Sequence, residues 1–173
     1  MEYISSDTSV WIDFSVIDQI QLPFRLPYTY IMNADAISDE ILSPVGLGAK
    51  LTRCGLVPVD ISIDEFFIAE ELSLKYPSLS RYDRIALAIA KIRGIVLLTG
   101  DGSLRKAAKF EGVSILGTIG ILDQLYKGKY ITDDEYELCL IELNRNNGFQ
   151  VRLPKDEISS RLVEFGLGRK KAK

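Results

Sequence analysis

Three aspartates stand where a parallel sheet would gather them. Asp7 follows Tyr3–Ser6, which reads as a short strand, and Asp101 follows the apolar run Ile95–Thr99 across Gly100. Asp83 stands in the first turn of the helix feeding that second run. Such a helix runs antiparallel to the strand after it, so its N-terminus shares an edge with that strand's carboxyl end. Ligands of open parallel sheets collect at that edge, where strand order reverses. Three carboxylates with no basic or histidine partner in their motifs suit a hard divalent cation, Mg²⁺ or Mn²⁺. The chain contains no histidine, which removes Ser-His-Asp and Cys-His nucleophile systems and the HExxH zinc motif. Each aspartate also has a local role: helix N-cap for Asp7, capping box with Ser80 for Asp83, turn chemistry between glycines for Asp101. Capping and metal binding are compatible, but capping does not explain three acids on one edge.

The elements that would position these acids alternate. After the first strand a helix opens at Asp7-Thr8-Ser9 and is expected to run to about Ile20. Pro23 and Pro27 break it, Tyr28–Met32 reads as the second strand, and Ala34–Leu42 as a short helix stopped by Pro44. Another short helix follows Gly46 and Gly48 and ends at Gly55; Leu56–Ser62 alternates like a strand. Ile63–Lys75 is helical, with Phe66, Phe67, Ala69, Glu70 and Leu74 as its expected apolar face. Ser80-x-x-Asp83 opens the alanine-rich helix that Gly94 ends, followed by the strand Ile95–Thr99. Ser103–Phe110, Val113–Leu116 and Ile119–Tyr126 read as helix, strand and helix. This steady alternation predicts an α/β fold: a parallel sheet of about five strands with helices on both faces. Beyond Gly128 come helices from Thr132 to about Arg145 and from Pro154 to Phe165, the latter stopped by Gly166, with a short extended stretch Phe149–Leu153 between them. The expected organisation is a domain over residues 1–128, a helical appendage over 129–168 and a basic tail over 169–173.

The bulk properties bound the function. A chain of 173 residues, 47% hydrophobic and 26% charged, is long enough for one domain with a genuine core. No apolar run reaches the roughly 18 residues of a membrane helix, and the N-terminus does not resemble a signal peptide, so a soluble cytoplasmic protein is expected. Cys54 and Cys139, far apart and in no metal-ligand spacing, are expected to be buried small hydrophobes. Four of the last five residues are basic, so the body before them is more acidic than the formal charge of −3. An acidic body argues against loose, charge-driven binding to nucleic acid.

The residues resemble the PIN-domain family from Tyr3 to about Gly128. Asp7-Thr8-Ser9-Val10-Trp11-Ile12-Asp13 is similar to its opening motif, and Ile37-Ser38-Asp39-Glu40-Ile41 to the segment carrying its second acid. Ser80-Arg81-Tyr82-Asp83 with Ala86–Ala90, and Leu97-Leu98-Thr99-Gly100-Asp101 with Leu104–Ala108, resemble the third and fourth. The closing Gly117–Leu122 is similar to a branch of bacterial and archaeal members regarded as toxins.

The resemblance implies a metal-dependent endoribonuclease with Asp7, Glu40, Asp83 and Asp101 as catalytic and metal-binding acids, holding Mg²⁺ or Mn²⁺. Asp39 and Asp35 stand as alternatives to Glu40. Ser9 and Thr99 would orient the acids. Arg81, Arg84, Arg105 and Lys106, beside the third and fourth acids, would reach RNA phosphates. The implied partners are RNA, a second copy of the chain and an antitoxin protein. Two other readings compete. One is a PIN fold without catalysis that binds RNA or protein; the other is a phosphoacceptor receiver domain. Against the latter, Asp7 stands alone after the first strand and the later lysine is missing.

Overall fold

The computed structural model describes residues 2–171, with side chains for residues 2–166. Five strands form one sheet: β1 (Glu2–Ser6), β2 (Tyr28–Asn33), β3 (Val57–Val59), β4 (Val96–Leu98) and β5 (Ile115–Leu116). All neighbours pair in parallel, in the order β3-β2-β1-β4-β5. The chain therefore moves outward from β1 in one direction, returns, and continues on the other side. The β1/β4 boundary is the point of reversal, with Ser6 beside Leu98. Receiver-type sheets follow the order 2-1-3-4-5 instead, so that reading fails on topology.

Parallel strands require crossovers, and helices supply them on both faces. One core contains Ile4, Tyr30, Met32 and Leu98 from the sheet, packed against α1 (Thr8–Val16), α3 (Leu47–Cys54) and α7 (Thr118–Lys127). The other contains Ile31 and Leu97, covered by α4 (Ile63–Lys75), α5 (Arg81–Arg93) and α6 (Gly102–Phe110). Adjacent strand residues face opposite sides, which is why Tyr30 and Met32 enter one core and Ile31 the other. β1 carries two buried serines, both bonded: Ser5 Oγ donates to the Ala86 carbonyl at 3.0 Å and Ser6 Oγ to that of Ile31 at 3.2 Å. The helical extension is α8 (Asp133–Asn146) and α9 (Lys155–Lys171). Its Tyr136, Cys139, Leu140, Leu143, Val151, Ile158 and Phe165 join the first core.

Several elements differ from expectation. α1 ends at Val16, and Pro23–Arg25 forms a 3₁₀ turn. β3 is an edge strand of three residues around Pro58, which cannot donate to a ladder. α4 buries Glu65, Ala69 and Leu72 and exposes Phe66, Phe67 and Leu74, because the buried face packs on the alanine-rich α5, where Glu65 meets Arg93. α9 continues through Gly166, so that glycine does not stop it. Cys139 is buried, as expected, but Cys54 at the end of α3 is half-buried; both are free. The side chains of the expected basic tail, Arg169–Lys173, lie outside the described residues. Among the described residues no helix is long and apolar enough to cross a membrane.

Candidate functional site

Asp7 sits at the end of β1, where the strand order reverses, and is 6% exposed. Its backbone N–H donates to the Leu98 carbonyl at 3.0 Å, extending the β1–β4 ladder by one bond and fixing the residue against β4. Its carboxylate caps α1, with Oδ1 accepting from the Thr8 N–H at 2.6 Å. Oδ2 accepts from Ser9 Oγ at 2.7 Å and from Thr99 Oγ1 at 2.9 Å. These two hydroxyls also accept from the next loop: Ser9 Oγ from the Gly100 N–H at 2.8 Å, Thr99 Oγ1 from the Asp101 N–H at 3.1 Å. Ser9 and Thr99 thus tie Asp7 to the loop that carries Asp101, and orient its carboxylate through Oδ2.

Asp101 is exposed and caps α6, accepting from the Leu104 N–H at 2.8 Å. Asp83 forms the expected capping box with Ser80, Oδ2 accepting from the Ser80 N–H at 2.8 Å. Glu40 reaches the site from the end of α2 (Ala34–Glu40), where its Oε2 accepts from Thr8 Oγ1 at 2.7 Å. Thr8 Oγ1 also lies 3.2 Å from Asp7 Oδ1. A hydroxyl has one proton, and the shorter contact gives it to Glu40. Of the three candidate second acids, only Glu40 makes this link. Asp39 accepts instead from the Tyr82 hydroxyl, and Asp35 is exposed in the first turn of α2.

The electrostatics join what the hydrogen bonds do not. Burial raises the Glu40 carboxyl above its ordinary range; the Thr8 bond opposes this, and the charges of Asp7, Asp83 and Asp39 add to it. Burial also raises Asp83, against its Ser80 bonds, with the charges of Asp7 and Asp101 adding. None of the four acids forms an ion pair with a described lysine or arginine. The edge is thus a set of hard oxygen donors in mutual repulsion, the donor chemistry that a divalent cation satisfies. Yet among the described residues no three acidic, cysteine or histidine side chains are grouped closely enough to hold a metal ion. Mg²⁺ commonly binds through one or two carboxylates and keeps several waters. The donor set fits that mode rather than an all-protein cage.

A fifth acid was not singled out from the sequence. Asp13, on α1, is 6% exposed and accepts from Thr118 Oγ1 at 2.5 Å. Burial pushes its carboxyl up to about 6 against the Thr118 bond, with the charge of Asp7 adding to the rise. An acid between Ile12 and Phe14 in an apolar helix was the available signal. The four cations differ in place. Arg105 Nη1 donates to the Thr99 carbonyl at 3.1 Å, and Arg84 Nε to that of Ser80 at 3.2 Å. Arg81 lies over the Tyr82 ring, 5.6 Å from its centre, and Lys106 is exposed.

A PIN-domain family profile matches residues 3–166, nearly the whole chain. The chain belongs to the PIN-domain family. The match takes in α8 and most of α9 together with the sheet, and PIN membership points to a nuclease-like function. No curated protein and no solved structure gives a significant match.

Proposed function

We propose that this PIN protein is an endoribonuclease that uses Mg²⁺ or Mn²⁺ to hydrolyse RNA phosphodiester bonds. The carrying observation is Asp7: a buried carboxylate at the sheet's reversal point, oriented by Ser9 and Thr99 and without a cationic partner among the described residues. Asp7 and Asp101 would be the main ligands, with Glu40 and Asp83 completing the site and ordering the attacking water. The cation, when bound, supplies positive charge against the charge that develops on the scissile phosphate. Water's oxygen bonds to phosphorus as the bond to the departing nucleoside oxygen breaks, and that oxygen leaves protonated. Thr8 holds Glu40 in place, and Ser9 and Thr99 keep Asp7 from rotating as charge builds. Arg105 and Lys106, beside Asp101, and Arg81 and Arg84, beside Asp83, would meet flanking phosphates.

Residues 1–128 carry the chemistry in this reading and 129–168 form an appendage packed on them. A cytoplasmic toxin of a toxin–antitoxin pair is the biological role favoured by the closing Gly117–Leu122 segment. The exposed Ile63, Phe67 and Leu74 of α4 support a protein partner, a second copy or an antitoxin. A binding module without catalysis is the second reading, favoured by the absence of a close three-acid group among the described residues. Cleavage of mixed single-stranded RNA with Mg²⁺ or Mn²⁺ decides between them. Cutting lost in both Asp7→Asn and Asp101→Asn, with unchanged metal-free melting, is the expected result. No cutting with either metal leaves the binding module.

A further inference from the structure

The carboxyl edge continues past the acids into a groove. A cavity of 370 Å³ opens beside Asp101, lined by Ser9, Asp13 and Gly100 and, from the appendage, Phe149, Gln150 and Arg152. A second, of 670 Å³, shares Gly100, Gly102 and Arg152 with it and lies between the β5–α7 turn and the start of α9. The segment linking α8 to α9 borders both. That segment is braced: Asn147 Nδ2 donates to the Leu153 carbonyl at 2.9 Å, and the Leu153 N–H returns a bond to Asn147 Oδ1 at 3.0 Å. The Gly148 N–H donates to the Val151 carbonyl at 2.9 Å, and the Val151 side chain is fully buried. A fixed backbone therefore presents Phe149, 86% exposed, beside the exposed Arg152 and Lys155.

The charge here opposes that of the whole chain. Arg105, Arg152, Lys155 and Arg161 line the larger cavity against a single acid, Glu157. Arg161 is committed to Asp123 at 3.0 Å and Arg105 to the Thr99 carbonyl. Arg152 and Lys155 have no side-chain partner among the described residues. Arg152 and Phe149 on the braced segment and Lys155 at the start of α9 border the two cavities, the smaller of which opens onto Asp101, and together complement a strand of phosphates with splayed bases. Grooves that hold single-stranded nucleic acid combine these features, since stacking needs an unpaired base.

We propose that the appendage groove holds single-stranded RNA on one side of the scissile phosphate, with Arg152 and Lys155 on phosphates and Phe149 under a base. This rests on the nuclease reading and names the part of the molecule that grips its substrate. Duplex RNA keeps its bases stacked and offers Phe149 none.

The test is fluorescence anisotropy of the full chain with a labelled mixed-sequence oligoribonucleotide, about a dozen nucleotides long, in EDTA and across a salt series. Arg152→Ala with Lys155→Ala weakens binding about tenfold or more and lowers the salt slope by about 1.4, roughly 0.7 per phosphate contact. Phe149→Ala weakens it about tenfold with the slope unchanged. Lys50→Ala with Arg53→Ala, on α3 and lining neither cavity, binds as wild type. All substituted side chains are exposed, and circular dichroism confirms that the variants are folded. Wild-type affinity in the groove variants, no binding by wild type at low salt, or equal binding of a duplex overturns the proposal. Metal-dependent cutting with intact binding by the groove variants sinks the groove alone. Groove-dependent binding without cutting under either metal sinks the nuclease alone.

Discussion

Two sets of buried and half-buried acids in this molecule behave in opposite ways. Away from the reversal point, Glu65 is 2% exposed, yet its carboxyl is held below the ordinary range. Burial alone would raise it, but Arg93, whose Nε donates to Oε1 at 2.6 Å, and the Ser62 N–H lower it. Glu111 is held down first by its Lys91 bond at 2.5 Å, with Tyr76 and Lys75 adding and burial opposing. At the carboxyl edge, Glu40, Asp83 and Asp13 are all raised, and their partners are hydroxyls and N–H groups. The first set is neutralised within the protein and ties elements together: Glu65 joins α4 to α5, and Glu111 collects lysines from both. The second has no cationic side chain among the described residues to neutralise it, which is where the proposed function would put a bound cation. Burial of acids is thus shared by both sets, and what distinguishes the candidate site is burial without a counter-charge.

That contrast can be broken most directly by neutralising one acid from each set. Glu40→Gln lowers RNA cleavage by about 100-fold or more, while Glu111→Gln leaves cleavage rates of the folded enzyme unchanged. Equal activity in the two variants would remove the distinction. On stability the order reverses. Glu65→Ala loses about 3 kcal/mol in urea unfolding, because it leaves Arg93 unpaired and removes half of the α4 capping box; Arg93 is partly exposed, which keeps the loss at the low end. Glu40→Gln is expected to unfold within about 0.5 kcal/mol of wild type.

Asp13 sharpens the comparison through pH. A carboxyl raised in the fold from 3.8 to about 6 binds its proton more tightly there than in the unfolded chain. Its contribution therefore favours folding below pH 3.8 and is lost as pH rises through 6. Asp13→Asn removes the cost of burying the charge but gives up a charged bond to Thr118. In EDTA it should be about 1–2 kcal/mol more stable than wild type at pH 7.5, with the gap shrinking as pH falls from 6 to 4. A pH-independent gap would show that Asp13 ionises freely. A further effect comes from the cation itself. Mg²⁺ at ten times its Kd stabilises wild type by about 1.4 kcal/mol, and does little for Asp7→Asn. Equal stabilisation of both would place cation binding elsewhere.

The acids were not equally legible. Asp7 and Asp101 could be read because each follows a strand pattern, and Asp83 because Ser80-x-x-Asp83 announces a helix start. Glu40 came only from the family resemblance, with Asp39 and Asp35 as substitutes; the structure adds that Tyr82 bonds to Asp39 and Thr8 to Glu40. Asp13 stayed hidden because its partner, Thr118, is 105 residues away. The face of α4 was misread for a related reason: Ala69 and Leu72 are buried by α5, and nothing within α4 specifies that neighbour.

Strand and helix alternation, the caps, the missing histidines and the order of the acids belong to the sequence itself, because each is set by residues within a few positions of one another. The side of the sheet to which each helix returns, the Thr8–Glu40 bond, the Asp13–Thr118 bond and the groove along Phe149 and Arg152 belong to the tertiary structure. Each of these depends on groups far apart in the chain meeting at one edge, and only the packed β1/β4 reversal brings them there.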